Sequence, residues 1–316
     1  MEPTDLLPRV ALGTWPTPVW RLEEASRSLG AEVWVKSEES CGVWGGNKVR
    51  KLEYILARLE GADIRTLITY GAGTSSWAAA VALHGTARGF QCVLGLGGPI
   101  PPALASLYER TGTHVHAFTH YNLTPAAAVR ARVEAGLTKV ARLPAGGSGL
   151  PGDLGSMNAG IEIARQVEQG LLPPPKQIYV PAGTSGTAAG IATGVRYGGL
   201  PTEVVAVRVT PRPLGTALVV RQHAARLGRF LKRRGVDIPR AGAVHVEGNG
   251  RFFGPAYGVG NPASEEAIEV GAADGLTLDP VYAAKAFAAL IDGARGGNKG
   301  PLLFVHTSPG PVPEAV

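Results

Sequence analysis

The chain has 316 residues, 45% hydrophobic and only 18% charged, with a formal net charge of +6. At roughly 150 residues per domain it holds one large or two modest domains, and its hydrophobicity excludes general disorder. Its 44 glycines and 25 prolines are turn-forming, but they have no triplet period, which excludes collagen; they cluster between apolar runs, as ligand-binding loops of α/β proteins do.

Val33 to Lys36 reads as a short strand. After Gly45-Gly46-Asn47, Lys48 to Leu59 reads as a helix with Leu52, Ile55, Leu56 and Leu59 on one face. Thr66 to Tyr70 is a strand, Gly71 to Thr74 a turn, and Ser75 to His84 an alanine-rich helix. Cys92 to Leu96 is a strand and Pro101 to Arg110 a helix opened by prolines. His114 to Thr119 and Pro125 to Ala135 give a further strand and helix. A loop of Pro144, Gly146, Gly147 and Ser148 precedes a helix over Leu154 to Gln169, and Pro173-Pro174-Pro175 is a sharp break. Gln177 to Val180 is a strand, Ala182 to Gly186 a glycine-rich turn, and Thr187 to Arg196 a helix. Val204 to Val209 is a strand and Leu214 to Arg234 a long helix. Ala263 to Ala272 and Pro280 to Ala294 are helices, and Leu302 to His306 is the closing strand. This alternation predicts parallel sheets with helices on both faces, in two lobes with a ligand between them.

Much of the positive charge lies between Arg221 and Arg240, in Arg226, Arg229, Lys232, Arg233 and Arg234. Apart from Phe230 no aromatic residue interleaves there to stack bases, so the stretch reads as a solvated helix face and no nucleic-acid partner is expected. No apolar run reaches the roughly 20 residues that span a membrane. Met1 to Trp15 carries acids and prolines rather than a basic segment and an apolar core, so no signal peptide is expected. Cys41 and Cys92 are too few for a disulfide framework or a cysteine-based zinc site, which predicts a cytoplasmic protein.

Five clusters carry chemistry. Gly45-Gly46-Asn47-Lys48 stands directly before a helix, whose positive end disfavours a charged lysine, so Lys48 is a candidate nucleophilic amine against the alternative of a surface lysine. The same tetrapeptide at Gly296-Gly297-Asn298-Lys299 follows a helix and reads as a stop and turn. Gly183-Thr184-Ser185-Gly186-Thr187 lies between strand and helix. Its N–H groups and hydroxyls make a phosphate cradle or an ordinary turn, and it lacks a Walker or dinucleotide pattern. Gly71-Ala72-Gly73-Thr74-Ser75-Ser76 can hold a carboxylate or simply cap a helix. Asp279-Pro280-Val281-Tyr282 places a tyrosine in a helix's first turn, and His306-Thr307-Ser308 follows the last strand, where ligands bind in open sheets. His114, His116 and His120 have no accompanying carboxylate, so no metal site is expected. Cys41, near the lysine cluster, reads as a small buried thiol rather than a reactive one.

The run Gly45-Gly46-Asn47-Lys48-Val49-Arg50-Lys51-Leu52-Glu53-Tyr54 closely resembles the lysine motif of the aminocyclopropane carboxylate (ACC) deaminase and D-cysteine desulfhydrase family. Pro16-Thr17-Pro18, Leu143 to Ser148, the 183–187 loop, Tyr257-Gly258, Asp279 to Tyr282 and His306-Thr307 follow in the family's order over nearly the whole chain. The resemblance implies a two-domain, three-layer parallel-sheet α/β architecture of the tryptophan synthase β-subunit type (fold type II). Residues 1–52 and 161–316 would form the larger, cofactor-binding domain and 53–160 the smaller one, with the site in the cleft between them. It implies pyridoxal 5'-phosphate as cofactor, Lys48 as its lysine and mover of the α-proton, and the loop Gly183, Thr184, Ser185, Gly186 and Thr187 on its phosphate. Thr307 would face the pyridine nitrogen, where a neutral hydroxyl favours elimination over transamination, and Asn47 and Ser76 would complete the cofactor contacts. Ser75, Tyr257 and Tyr282 match catalytic positions, and Thr74, Ser75, Ser76 and Trp77 the substrate loop. It further implies a homodimer acting on a small amino acid.

The sequence departs from the family in places. Thr74-Ser75-Ser76 stands where the family usually has Gln-Ser-Asn, and Trp77 where a polar residue is common, which would reshape the pocket. Ala283 follows Tyr282 where ACC deaminases carry Glu and desulfhydrases typically Thr, and ACC deaminases carry Leu where Thr307 stands. The expected activity is β-elimination to a 2-oxo acid and ammonia, desulfhydrase-like. The rivals are β-replacement, racemisation, and a non-catalytic binding protein retaining the fold.

Overall fold

The computed structural model describes residues 2–119, 139–239, 243–247 and 250–314. His120 and the helix expected over 125–135 lie outside the described residues. In chain order the elements are β1 (Val19–Arg21), α1 (Glu23–Leu29), β2 (Val33–Ser37), α2 (Asn47–Glu60), β3 (Thr66–Ala72), α3 (Ser76–Thr86), β4 (Gln91–Gly97), α4 (Pro102–Arg110), β5 (His114–Phe118) and β6 (Val140–Arg142). There follow α5 (Gly152–Glu168), β7 (Gln177–Ala182), α6 (Gly186–Tyr197), β8 (Glu203–Arg208), α7 (Ala217–Lys232), β9 (Val244–Glu247), α8 (Pro262–Ala272), α9 (Ala283–Arg295) and β10 (Leu302–His306).

Among the described residues, ten strands form two sheets. The larger has the order β1-β2-β10-β7-β8-β9 and the smaller β5-β4-β3-β6. All pairings are parallel except β1 with β2. Strand alternation explains the layering of the larger sheet. Leu302 and Phe304 point into a core with α1, α8 and α9 residues such as Leu29, Ala267 and Phe287, whereas Leu303 and Val305 point the other way, against Ile163, Ile191 and Val220 of α5, α6 and α7. In the smaller sheet Leu67 and Cys92 pack on α2 and α3, and Leu94 and Leu96 on α3 and α4. Its opposite face carries the smaller Ile68–Val93 cluster. This is the three-layer α/β architecture expected. The positions 52/53 and 160/161 fall inside the continuous helices α2 and α5.

Three differences from the sequence reading have physical causes. β1 and β6 have three residues each, too few to show a period. α7 starts at Ala217 rather than Leu214, because Gly215 takes φ +70° and Thr216 is the extended residue before the helix. α9 starts at Ala283 rather than Pro280. The Asp279 carboxylate accepts from the backbone N–H of Val281, Tyr282 and Ala283, so Tyr282 stands at the cap, not in the first turn.

After β10 the chain leaves the larger sheet and crosses to the smaller one. Trp44 Nε1 donates to the Gly310 carbonyl at 3.2 Å, Val312 packs on the α3–α4 cluster, and Arg110 donates to the Pro313 carbonyl at 2.7 Å.

Candidate active site

α2 is buried nearly all round. Its apolar side packs on Leu67 and Trp77, and its polar side is satisfied by partners. Arg50 donates to Glu38 and to Glu162, and Lys36 pairs with Glu162 at 3.1 Å. Thr17 Oγ1 donates to Glu38 at 2.9 Å, which accounts for the early Pro-Thr-Pro match. Glu53 accepts from the N–H groups of Leu12 and Gly13 and from Trp15 Nε1. Two cations and two carboxylates thus close a buried, neutral set that fixes the helix start.

At that start Gly46 adopts φ +55°, and a Cβ there would lie 2.7 Å from the Thr307 carbonyl oxygen. Only glycine lets the loop before Lys48 seat on the loop after β10. Asn47 Nδ2 donates to Thr187 Oγ1 at 3.0 Å, and Lys48 Nζ donates to Asn47 Oδ1 at 2.8 Å. Three separate sequence motifs therefore meet at Lys48. Burial, then the Lys51 charge, lowers the Lys48 ammonium from 10.5 to about 7, with Asp279 opposing.

The 183–187 loop opens the 12-residue helix α6, which has no acid in its first turn. Ser185 sits at φ +74°, and its buried Oγ has no partner among the described residues. Such an orphan hydroxyl at a helix N-terminus fits an incoming phosphate oxygen. Ser148 Oγ bonds Thr184 Oγ1 at 2.6 Å and accepts from the Gly186 N–H at 3.3 Å. Behind it, Lys51 Nζ donates to the Gly146 carbonyl at 3.0 Å, and burial lowers that ammonium to about 8 against the pull of Asp153. Asp153 is held by His223 Nδ1 at 2.6 Å and the Gly149 N–H at 2.9 Å. The residues present fit pyridoxal phosphate: an amine of lowered pKa, a cationic N-terminal cradle and the Thr307 loop side by side.

The Tyr257 and Tyr282 hydroxyls are hydrogen-bonded to each other, with rings edge-to-face at 6.4 Å. Burial, then Tyr257, raises the Tyr282 phenol well above its usual range, so it keeps its proton. The Tyr282 ring approaches Gly183, where a Cβ would stand 3.6 Å from Cε1. Thr210 Oγ1 steadies the same residue by donating to the Gly183 carbonyl at 3.0 Å.

In the loop before α3, Thr74 is exposed and Ser76 opens the helix. Ser75 Oγ accepts from the Ala78 N–H at 3.2 Å, so its capping role is realised. Trp77 differs from the pocket-shaping expectation. Its ring is 2% exposed in the core, its Nε1 donates to Thr69 Oγ1 at 2.9 Å, and it braces Gly147 from below. The cause is its place in the first turn of α3, facing the sheet.

Lys299 donates to the carbonyls of Leu29 and Ala294 at 2.9 and 3.0 Å, a helix-end role. Cys41 is fully buried, and burial raises its thiol. His114 and His116 stack edge-to-face at 4.7 Å. Sequence reasoning named Lys51, Ser148 and Asp279 within their motifs but assigned them no role. Lys51 was findable, since i,i+3 spacing sets it on the Lys48 side of the helix; Ser148 and Asp279 act through contacts that only folding creates.

The model of the pyridoxal-phosphate dependent enzyme family matches residues 10–308. The D-cysteine desulfhydrase of Salmonella newport (strain SL254) is 33% identical over 330 aligned residues, covering 96% of this chain and 95% of that protein. The crystal structure of an ACC deaminase homologue superposes with a TM-score of 0.85 at 28% identity, covering 98% of this chain and 94% of that one. A hydrogen sulfide-producing enzyme of Fusobacterium nucleatum shares the fold, with a TM-score of 0.62 at 16% identity, covering 97% of each chain. A lysine of lowered pKa, a glycine-rich helix start beside it and a full-length match agree: the chain belongs to the pyridoxal-phosphate dependent enzymes.

Proposed function

We propose that this chain eliminates the β-substituent of a small amino acid, with D-cysteine as its substrate in the manner of the desulfhydrases it resembles. With water, D-cysteine would give pyruvate, ammonia and hydrogen sulfide. The supporting observation is the meeting of motifs at one point: Asn47 joins Lys48 to Thr187 while Gly46 seats on the Thr307 loop.

Bound pyridoxal phosphate supplies an electron sink that acidifies the α-carbon of an attached amino acid. Lys48 would hold its aldehyde carbon. Ser185, Thr184, Thr187 and the backbone N–H groups of Gly183 and Gly186 would hold its phosphate, Thr307 its pyridine nitrogen, and Asn47 and Ser76 its phenolic edge. Lys48, half in its free-base form near pH 7, takes the α-proton. Tyr282, kept protonated by burial, donates to the departing sulfur and is replenished by Tyr257 through their shared hydrogen bond. Ser75 and the open N–H groups at the start of α3 receive the substrate carboxylate, with Thr74 at the mouth. Trp77 serves from behind, as the brace of that turn.

We further propose that the two sheets are the cores of two domains, 1–52 with 161–316 and 53–160, and that the protein is a cytoplasmic homodimer. No described helix is long and apolar enough to cross a membrane, and Cys41 and Cys92 are free thiols.

The test is a substrate panel. Purified protein should show the absorbance of lysine-bound cofactor, lost in Lys48→Ala, and should release pyruvate and sulfide from D-cysteine faster than from L-cysteine, serine, cysteate or ACC. A colourless protein that cannot be reconstituted, or no release from any of these, sinks the reading.

A further inference from the structure

α9 reads Ala-Ala-Lys-Ala-Phe-Ala-Ala-Leu-Ile, an apolar core helix with one lysine in it. Lys285 is fully buried. A leucine or methionine would pack there without the cost of desolvating an ammonium. The geometry gives the lysine one evident occupation. Its Nζ donates to the Phe253 carbonyl at 2.6 Å and stands 5.6 Å from the Phe253 ring centroid. Arg208, buried at the end of β8, places its guanidinium 5.1 Å from the same centroid. Its NH1 donates to the Thr210 carbonyl at 2.8 Å, and Thr210 in turn holds Gly183.

Phe253 belongs to the segment Gly250 to Asn261, which has no helix or strand. Gly250, Gly254 and Gly258 all take positive φ, so the backbone has little stiffness of its own. Its order has to come from anchors. Phe252 lies in the core and its carbonyl accepts from Asn261 Nδ2 at 3.0 Å. Phe253 is held by Lys285, which bonds its carbonyl, and by Arg208, whose guanidinium lies by its ring. Four residues on, Tyr257 reaches the Tyr282 hydroxyl. Lys285 lies three residues after the cap residue Tyr282, so the start of α9 presents one tyrosine and holds the loop that delivers the other.

We propose that Lys285 and Arg208 are positioning residues that clamp Phe253 and so hold the Tyr257 hydroxyl on Tyr282 in register with the Gly183 loop. The inference rests on the tyrosine roles assigned under the proposed function. Without the clamp the glycine-rich loop keeps its apolar anchor but loses the alignment of its tip.

The experiment is Lys285→Met, alone and combined with Tyr257→Phe, in the cofactor-loaded full chain. Lys285→Gln, which keeps a donor, replaces it if the Met chain does not fold. Hydrogen exchange read by mass spectrometry should rise about tenfold in 250–258 and stay unchanged in α6. Turnover should fall roughly 10- to 100-fold with KM nearly unchanged and the cofactor absorbance retained. On the Tyr257→Phe background the same substitution should cost less than about twofold more, because the two act through one hydroxyl. Unchanged exchange in 250–258 overturns the clamp. Additive losses in the double variant overturn its action through Tyr257. If the unmodified chain turns over no amino acid, the proposed function fails, while the exchange measurement still decides the clamp.

Discussion

At pH 7 an ordinary lysine of pKa 10.5 keeps about one free amine in three thousand, whereas Lys48, lowered to about 7, keeps about half. The gain in nucleophile is roughly a thousandfold or more at neutral pH, before any chemistry. Burial is the leading cause, the Lys51 charge comes second, and Asp279 works against both. Competitive labelling of the cofactor-free chain with acetic anhydride, with the Lys48 peptide quantified by mass spectrometry from pH 5.5 to 10, reads this ionisation directly. Labelling should rise about tenfold per pH unit at the acid end and level off above about pH 8. In Lys51→Met the midpoint should move up, since a like charge is gone, yet stay well below that of an ordinary lysine because burial remains. Labelling that still climbs tenfold per unit beyond pH 9 would refute the reasoning, and a downward move in Lys51→Met would refute the assigned cause.

Tyr282→Phe should keep the cofactor absorbance and lower turnover by about 10²- to 10⁴-fold, measured as pyruvate release, because the proton donor is lost while the cradle stays. Ser185→Ala removes a buried hydroxyl that has no partner among the described residues; thermal unfolding of the cofactor-free chain should be unchanged or slightly later, while the cofactor dissociation constant in an absorbance titration rises roughly tenfold. Acid should act through Glu162, whose carboxyl is held down from 4.5 to about 2; burial alone would raise it, and Arg50 and Lys36 overcome that. A depressed carboxylate contributes stability that is present above pH 4.5 and lost as pH falls towards 2, so roughly 3 kcal/mol should disappear in that window. In denaturant titrations at several pH values, Glu162→Gln should be less stable at pH 7 and lack this part of the acid loss.

Most parallel strands and long helices were legible: Leu302 to His306 is a short apolar run buried on both faces, and Leu52, Ile55, Leu56 and Leu59 keep period 3.6. β1, β6 and β9 were not, since three or four residues carry no period. Lys48 and Thr187 were readable as separate loops, yet their junction through Asn47 is a long-range contact that no local pattern encodes. Trp77 shows the opposite error. Its place in a substrate loop drew it towards the pocket, but a first-turn residue on the sheet side of α3 has to face the core. The two Gly-Gly-Asn-Lys runs separated as expected, since one lysine begins a helix beside a cradle while the other ends two helices.

The crossing of the chain after β10 bears on how substrate could enter. Thr307 and Val312 lie only five positions apart, yet one flanks the Lys48 loop and the other packs, partly buried, on the α3–α4 cluster. A short span of backbone thus acts as a tether with almost no slack. Any swing of the smaller sheet must either peel Val312 out and break the bonds from Trp44 and Arg110 or pull on the loop beside the lysine. Were the two sheets to part, opening and the seating of Thr307 would be one mechanical event.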